Sequence, residues 1–284
     1  MPNLDLVPKQ NLSSFRRIAI GTWKDAHDPS VYGTLTLRVD AALDYLETYR
    51  ARTGRRLTLT HLLVKAVATV LAENPDANAV LRFNRIYLRK DIGVFFQVAM
   101  EDEKTGEIDL SGVTIHGAHE KSITEILDET EARVAQVRAH KDAALEKTRS
   151  TFKQIPYLLL NRALDFISFL SYTLNLDLRA AGIPKDPFGS VMITNVGSLG
   201  LQEAYVPLVP YSKVPLLIAV GSVERSAVVE GDQIVIARTL GLFATFDHRI
   251  LDGSHAAKMS AVIRRCFADP VAAFGELPTA PADQ

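Results

Sequence analysis

A histidine and an aspartate four residues apart, followed at once by a glycine, stand in the stretch Thr245-Phe246-Asp247-His248-Arg249-Ile250-Leu251-Asp252-Gly253. An imidazole is suited to moving protons near neutral pH, because its unperturbed pKa of about 6.5 lies close to the operating pH. To act as a general base it must be held still. Asp252 is placed to anchor the turn by pairing with a distant cation, and Gly253 to supply a backbone angle that other residues avoid. Taken alone, His-x-x-x-Asp-Gly also fits a surface or core histidine beside an ordinary Asp-Gly turn.

The neighbouring pattern says what holds this stretch. Ile234 to Phe246 is an apolar run that reads as a buried strand, and a helical pattern runs from Ser254 to Ala268, ending before Asp269-Pro270. His248 therefore sits on a strand-to-helix turn. Upstream, residues 1–11 read as an extended arm, Phe15 to Trp23 fits helix and strand periods alike, and Tyr32 to Val39 alternates as a strand. Helices are expected from Asp40 to Arg52, closed by Gly54, and from His61 to Ala72, capped by Thr58 or Thr60 and stopped at Asn74-Pro75. His61, at the start of that helix, is expected to be structural.

Strands are expected at Arg85 to Arg89, Asp91 to Met100 and Asp109 to Ile115; Ser122 and Glu125 form the capping box of a charged helix reaching about Lys147. His116, His119 and His140 show no metal spacing and read as surface residues. After a Pro-rich loop from Gly182 to Gly189 come strands Ser190 to Asn195 and Pro215 to Val223, then a turn at Glu230-Gly231-Asp232. Residues 278–284 form a polar tail.

Composition narrows the class. A chain of 284 residues with 47% hydrophobic content has ample material for a core, and a net charge of −1 with mixed signs gives no reason to expect a nucleic-acid partner. The single cysteine, Cys266, excludes an internal disulfide and fits a reducing compartment as a buried structural thiol; the N-terminus shows no signal or transit pattern, so a cytoplasmic protein is expected. The apolar stretch Ile155 to Tyr172 is broken by Asn161, Arg162 and Asp165, so a packed helix is expected there rather than a transmembrane segment. Walker loops, dinucleotide fingerprints, zinc spacings and Gly-x-Ser-x-Gly elbows are all missing from the sequence.

One ordered set of motifs remains. Arg16-Arg17, Val39-Asp40, Leu59 to Ala72 with Asn74-Pro75-x-x-Asn78-Ala79, Ile193-Thr194-Asn195-Val196-Gly197 and Asp247-His248-Arg249-x-x-Asp252-Gly253 together resemble the catalytic domain of the acyltransferase component of 2-oxoacid dehydrogenase complexes. The likeness covers residues 12–277. It implies an α+β, chloramphenicol acetyltransferase-like fold: a two-layer mixed sheet covered by helices, assembled as a homotrimer and in some members as a cage. It also implies His248 as the catalytic base, Thr194 as the hydroxyl facing the oxyanion, and Asp252 as the acid that steadies the histidine loop. Arg16 is the implied partner of Asp252, with Arg17 second, while Gly253 and Asn195 support the two motifs.

Acyl transfer needs a base for the attacking S–H or O–H and a donor for the tetrahedral oxyanion, which these residues would supply. The expected substrate is coenzyme A or its acyl thioester, with no metal. The sequence has no Asp-Lys-Ala lipoylation site, so a lipoyl-bearing protein would act in trans. Residues 155–172 read as an insertion relative to the usual domain. Two other readings are a non-catalytic trimer or cage scaffold, and an acetyltransferase acting on the O or N of a small molecule.

Overall fold

The computed structural model describes residues 2–10, 29–101, 108–138, 156 and 159–278. In chain order these form β1 (Leu6–Pro8), β2 (Ser30–Arg38), α1 (Asp40–Thr53), α2 (Leu59–Glu73), β3 (Ala79–Arg82), β4 (Arg85–Arg89), β5 (Val94–Glu101), β6 (Ile108–Ile115) and α3 (Ile123–Arg138). There follow α4 (Leu160–Ser168), β7 (Val191–Asn195), β8 (Leu216–Glu230), β9 (Gln233–Asp247), α5 (Gly253–Ala268) and α6 (Pro270–Phe274).

The main sheet has six strands in the order β2-β9-β8-β7-β5-β6. Its centre is parallel, β8 with β7 and β7 with β5, and the outer pairs are antiparallel. A second sheet, β1-β4-β3, is antiparallel throughout and takes in the N-terminal arm through β1. The fold is therefore mixed α and β, as the sequence implied.

Alternation along the strands decides what each face does. Val191, Ile193, Ile218 and Leu242 point into the main core, against Leu63, Val67 and Val70 of α2 and Met259, Val262 and Ile263 of α5. Helix α2 is apolar nearly all round because it lies between the sheet and other helices. The residues between them, Met192, Leu217, Ala219 and Phe243, point the other way and pack only into small clusters with Phe95, Val196 and Val214. Among the described residues no α-helix packs into these clusters, and Thr194 shares this face with Met192.

Helix starts follow their caps. Ser122 and Glu125 bond reciprocally before α3, as expected; the continuation of that helix towards Lys147 lies outside the described residues. At α2 the cap is Thr58, whose backbone N–H and hydroxyl both donate to His61 Nδ1, at 3.0 and 2.8 Å. Burial pushes the His61 imidazole down to about 4.

Strand β3 was not legible beforehand. It turns into β4 through Phe83 and Asn84, both at positive φ, with no glycine to signal the hairpin. Strand β8 runs on to Glu230, past its expected end at Val223, while β9 keeps the expected run from Ile234 to Phe246 with one residue more at each end. A shift in register between Val220 and Val223 carries them past the core into a projecting hairpin. There Val229, Ile234 and Ile236 are 77%, 77% and 69% exposed.

Of the apolar stretch, residues 155, 157 and 158 lie outside the described residues; from Leu160 on it forms α4 and a wider helical turn, Phe169–Thr173, which together bury Ser168, Ser171 and Tyr172 and leave Phe166 and Phe169 exposed. Among the described residues no helix is long and apolar enough to cross a membrane. The chain returns to the sheet through Asp186, whose carboxylate meets the buried Arg89 guanidinium, and Gly189, at φ +60°. Gly189 and Gly93 touch through their backbones: a Cβ added to Gly93 would lie 2.8 Å from the Gly189 Cα. Ser190 N donates to Gly93 O at 2.7 Å, which sets the start of β7 against the start of β5.

Candidate active site

His248 follows the last residue of β9 and is pinned to the residue before β2, its N–H donating to Pro29 O at 3.0 Å. Asp247 N donates to Pro215 O, and Asp247 O accepts from Ile250 N and Leu251 N, so the chain turns back at once. Arg249 closes the turn from outside. Its Nε and Nη2 bond the buried Asp247 carboxylate at 2.9 and 2.6 Å.

Inside this turn His248 Nδ1 lies 2.9 Å from Leu251 O. A carbonyl can only accept, so Nδ1 carries a proton, and in the neutral imidazole the lone pair is then on Nε2. The imidazole is thus oriented as a base.

Asp252 is the N-cap of α5. Its carboxylate accepts from Ser254 N at 3.0 Å, Ser254 Oγ at 2.7 Å and His255 N at 3.2 Å. Burial alone would raise this carboxyl, but the hydrogen bonds from Ser254 and His255 outweigh it and hold the group well below the usual carboxylate range. His255 Nδ1 lies 2.7 Å from Asp252 Oδ1, and its Nε2 is 3.7 Å from Asp76, which pairs in turn with Lys9. The turn is therefore tied to the N-terminal arm through a residue the sequence reading did not single out. Arg16 and Arg17, its expected partners, lie outside the described residues.

The expectation for Gly253 needs correcting. It is the first residue of α5 and does not adopt a positive φ, and a Cβ added there meets nothing within 4 Å. Asp252, in extended conformation as an N-cap, makes the change of direction instead.

Thr194 lies near the end of β7, and its hydroxyl donates to Gln97 Oε1 on β5 at 2.5 Å. Asn195 Oδ1 accepts from Ser198 N at 3.0 Å and so secures the turn that follows. Gln97 carried no signal in the sequence, since it meets Thr194 only through the pairing of strands 97 residues apart.

Within one chain Thr194 and His248 are not brought together. Thr194 is level with Ala219, and Ala219 with Phe243, five residues before His248 on a strand two places away. At about 3.3 Å per residue and about 4.8 Å between strands, the two groups stand on the order of 15–20 Å apart.

Two other groups invite comparison with reactive sites. Asp91, His116 and Asp186 bring ligand atoms within 4.8 Å of one another, so His116 is not the isolated surface residue its spacing suggested. Arg89 is bonded to Asp186, however, and already places a fixed cation there. Cys266 is buried, and burial pushes its thiol up, against a nucleophilic role.

A family model for the 2-oxoacid dehydrogenases acyltransferase (catalytic domain) matches residues 8–153 and 187–274. The chain belongs to this family. Residues 154–186, with the apolar stretch, fall outside the match. The acetyltransferase component of the pyruvate dehydrogenase complex from Rickettsia bellii is 23% identical over 246 residues, covering 85% of this chain and 48% of that protein. The corresponding component of the acetoin cleaving system of Bacillus subtilis is 22% identical, covering 92% and 55%. The chain thus spans about half the length of the curated relatives it matches.

Solved acyltransferase cores share the fold. The cubic core of a pyruvate dehydrogenase multienzyme complex superposes with a TM-score of 0.64 at 19% identity, over 94% of this chain and 99% of that one. Dihydrolipoamide acetyltransferase of Azotobacter vinelandii gives the same TM-score at 18% identity, over 94% and 99%; a serine, a histidine and an asparagine were investigated in its catalytic mechanism. Its asparagine is four positions after its histidine, the spacing that separates Asp252 from His248 here. Chloramphenicol acetyltransferase superposes with a TM-score of 0.51 at 12% identity, over 94% of this chain and all of that one.

Proposed function

We propose that this chain moves an acyl group between coenzyme A and a thiol of the dihydrolipoamide kind carried by another polypeptide, in a site shared between neighbouring copies of a closed homotrimer. The observation that carries this reading is the separation of the oriented base from the threonine hydroxyl within one chain. A second copy must bring its Thr194 towards the first copy's His248, as a head-to-tail interface with three-fold closure allows. The exposed apolar ribbon of Val229, Ile234 and Ile236 supplies surface for such a contact.

In the shared site Nε2 of His248 takes the proton of the attacking thiol, and the thiolate adds to the thioester carbonyl. The resulting oxyanion accepts a hydrogen bond from the Thr194 hydroxyl of the neighbouring copy. The tetrahedral intermediate collapses, the second thiolate leaves, and Nε2–H returns the proton to it. Asp252 and Leu251 O hold the imidazole in place throughout, and no step requires a metal or an acyl-enzyme. Whether trimers build further into a cage does not alter this chemistry.

Mixing two inactive variants tests the reading. His248→Ala is expected to lose about 10²- to 10⁴-fold in rate and Thr194→Val on the order of 10²-fold, with assembly intact. Co-assembled from denatured mixtures, they should regain part of the activity, because some interfaces then pair an intact histidine with an intact threonine. Free thiol released from acetyl-coenzyme A with dihydrolipoamide is the readout. An active monomer by mass measurement, or no recovery despite proven mixing, would overturn the shared site. Full activity of His248→Ala would instead remove His248 from the mechanism, and an assembled wild-type protein without turnover would support the scaffold reading.

A further inference from the structure

We propose that Gln97 is a positioning residue: its side-chain amide sets the direction in which the Thr194 hydroxyl presents its proton. The inference rests on the acyl-transfer reading above and concerns a residue that reading leaves unused. The register of β5 and β7 pairs Val94 with Val191, Phe95 with Met192 and Phe96 with Ile193, and so places Gln97 abreast of Thr194 on the face that Thr194 shares with Met192. On its other side Gln97 faces Gly112 of β6. The Phe95 ring fills the space a side chain at Gly112 would need, since an added Cβ would lie 1.9 Å from its Cζ. Thr194 is thus the cross-strand side-chain partner of Gln97 among the described residues.

A hydroxyl has one proton and two lone pairs. As placed, Thr194 Oγ1 gives its proton to Gln97 Oε1, and a proton committed there cannot stabilise an oxyanion. Turning the amide about its terminal bond, a soft and roughly two-fold rotation, presents Nε2–H to Oγ1 instead. The hydroxyl then accepts from Gln97, and its own proton is free to point at the substrate oxygen. Donation into a hydroxyl also strengthens the hydrogen bond that the hydroxyl makes. The turn costs no other contact, because nothing among the described residues accepts from Nε2. A primary amide can hold the hydroxyl in one orientation and release it in the other, whereas an ionised carboxylate of the same shape can only accept.

The test uses the assembled protein with acetyl-coenzyme A and dihydrolipoamide. Gln97→Glu should lower kcat by about ten- to a hundred-fold, with KM changed by no more than about two-fold, because it traps the Thr194 proton in the transition state. Gln97→Met, which neither traps nor directs it, should lose less than about ten-fold. In the Thr194→Val background neither substitution should reduce kcat further, since the residue acts through the hydroxyl.

Wild-type kcat in Gln97→Glu would overturn the proposal, as would a loss of equal size in the Thr194→Val background or a rise in KM alone. Full kcat in Thr194→Val itself would instead remove the oxyanion assignment on which the proposal rests. Should Gln97→Glu fail to assemble, Gln97→Met and its combination with Thr194→Val decide, because a purely structural effect would persist without the hydroxyl.

Discussion

Helices α2 and α5 begin with a histidine in the same place, three residues after the cap, and the two histidines share a capping contact but differ in what else surrounds them. At α2 the cap is Thr58, a donor, and His61 Nδ1 accepts from it. At α5 the cap is Asp252, whose backbone N–H points at His255 Nδ1 at 3.3 Å, as that of Thr58 does at His61, while its carboxylate lies 2.7 Å from the same nitrogen. His61 is buried and held neutral, while His255 lies between two carboxylates, Asp252 and Asp76. The capping side chain thus sets whether the histidine faces a hydroxyl alone or carboxylates as well. Only the second arrangement reaches the His248 turn, through the carbonyl of Leu251 just before the cap.

Substitutions at the two caps separate these roles. Asp252→Ala should produce the largest effect: about a ten- to hundred-fold fall in kcat as His248 loses its orientation, together with about 1–2 kcal/mol of stability lost with the cap. Steady-state kinetics beside urea unfolding would show whether the two losses coincide; unchanged kcat would detach Asp252 from the turn. The next effect depends on pH. His61 in the folded protein takes up a proton only near pH 4, whereas the unfolded chain does so near 6.5. Its contribution is therefore complete above about pH 6.5 and falls as the pH drops towards 4, by about 3 kcal/mol in all.

His61→Gln, which can still accept from the cap, should flatten that part of the stability curve and leave activity at neutral pH alone. An equally steep acid limb in the variant would assign it to other groups. The smallest effect belongs to Thr58→Ala, with about 1 kcal/mol lost in denaturant melts and kcat unchanged. A substantial fall in kcat there would mean that the two helix starts are coupled after all.

The parts of this molecule that could be read from the sequence are those whose signals are local. The strand-turn-helix around His248, the Ser122 and Glu125 box, the stop of α1 at Gly54 and the strand bearing Thr194 each follow from residues a few positions apart. What escaped was set by pairing across the sheet. Gln97 meets Thr194 only when β5 and β7 lie side by side, and His116 meets Asp91 and Asp186 through folding alone. The outer half of β8 was missed because Glu224, Arg225 and Ser226 look like the end of a strand, although they go on pairing with Thr239, Arg238 and Ala237 of β9. Gly253 was misread because Asp-Gly is a turn signal as well as a cap followed by a helix start.

The contact between Gly93 and Gly189 bears on how such a domain can change over time. It comes after the unmatched residues 154–186 and immediately before the strand that carries Thr194. Whatever length of chain precedes it, the polypeptide re-enters the sheet at one fixed point, set by two backbones too close to admit a methyl group. Additions upstream can then lengthen or shorten without moving Thr194 relative to β5. The domain can gain new surface there while its chemistry stays in register.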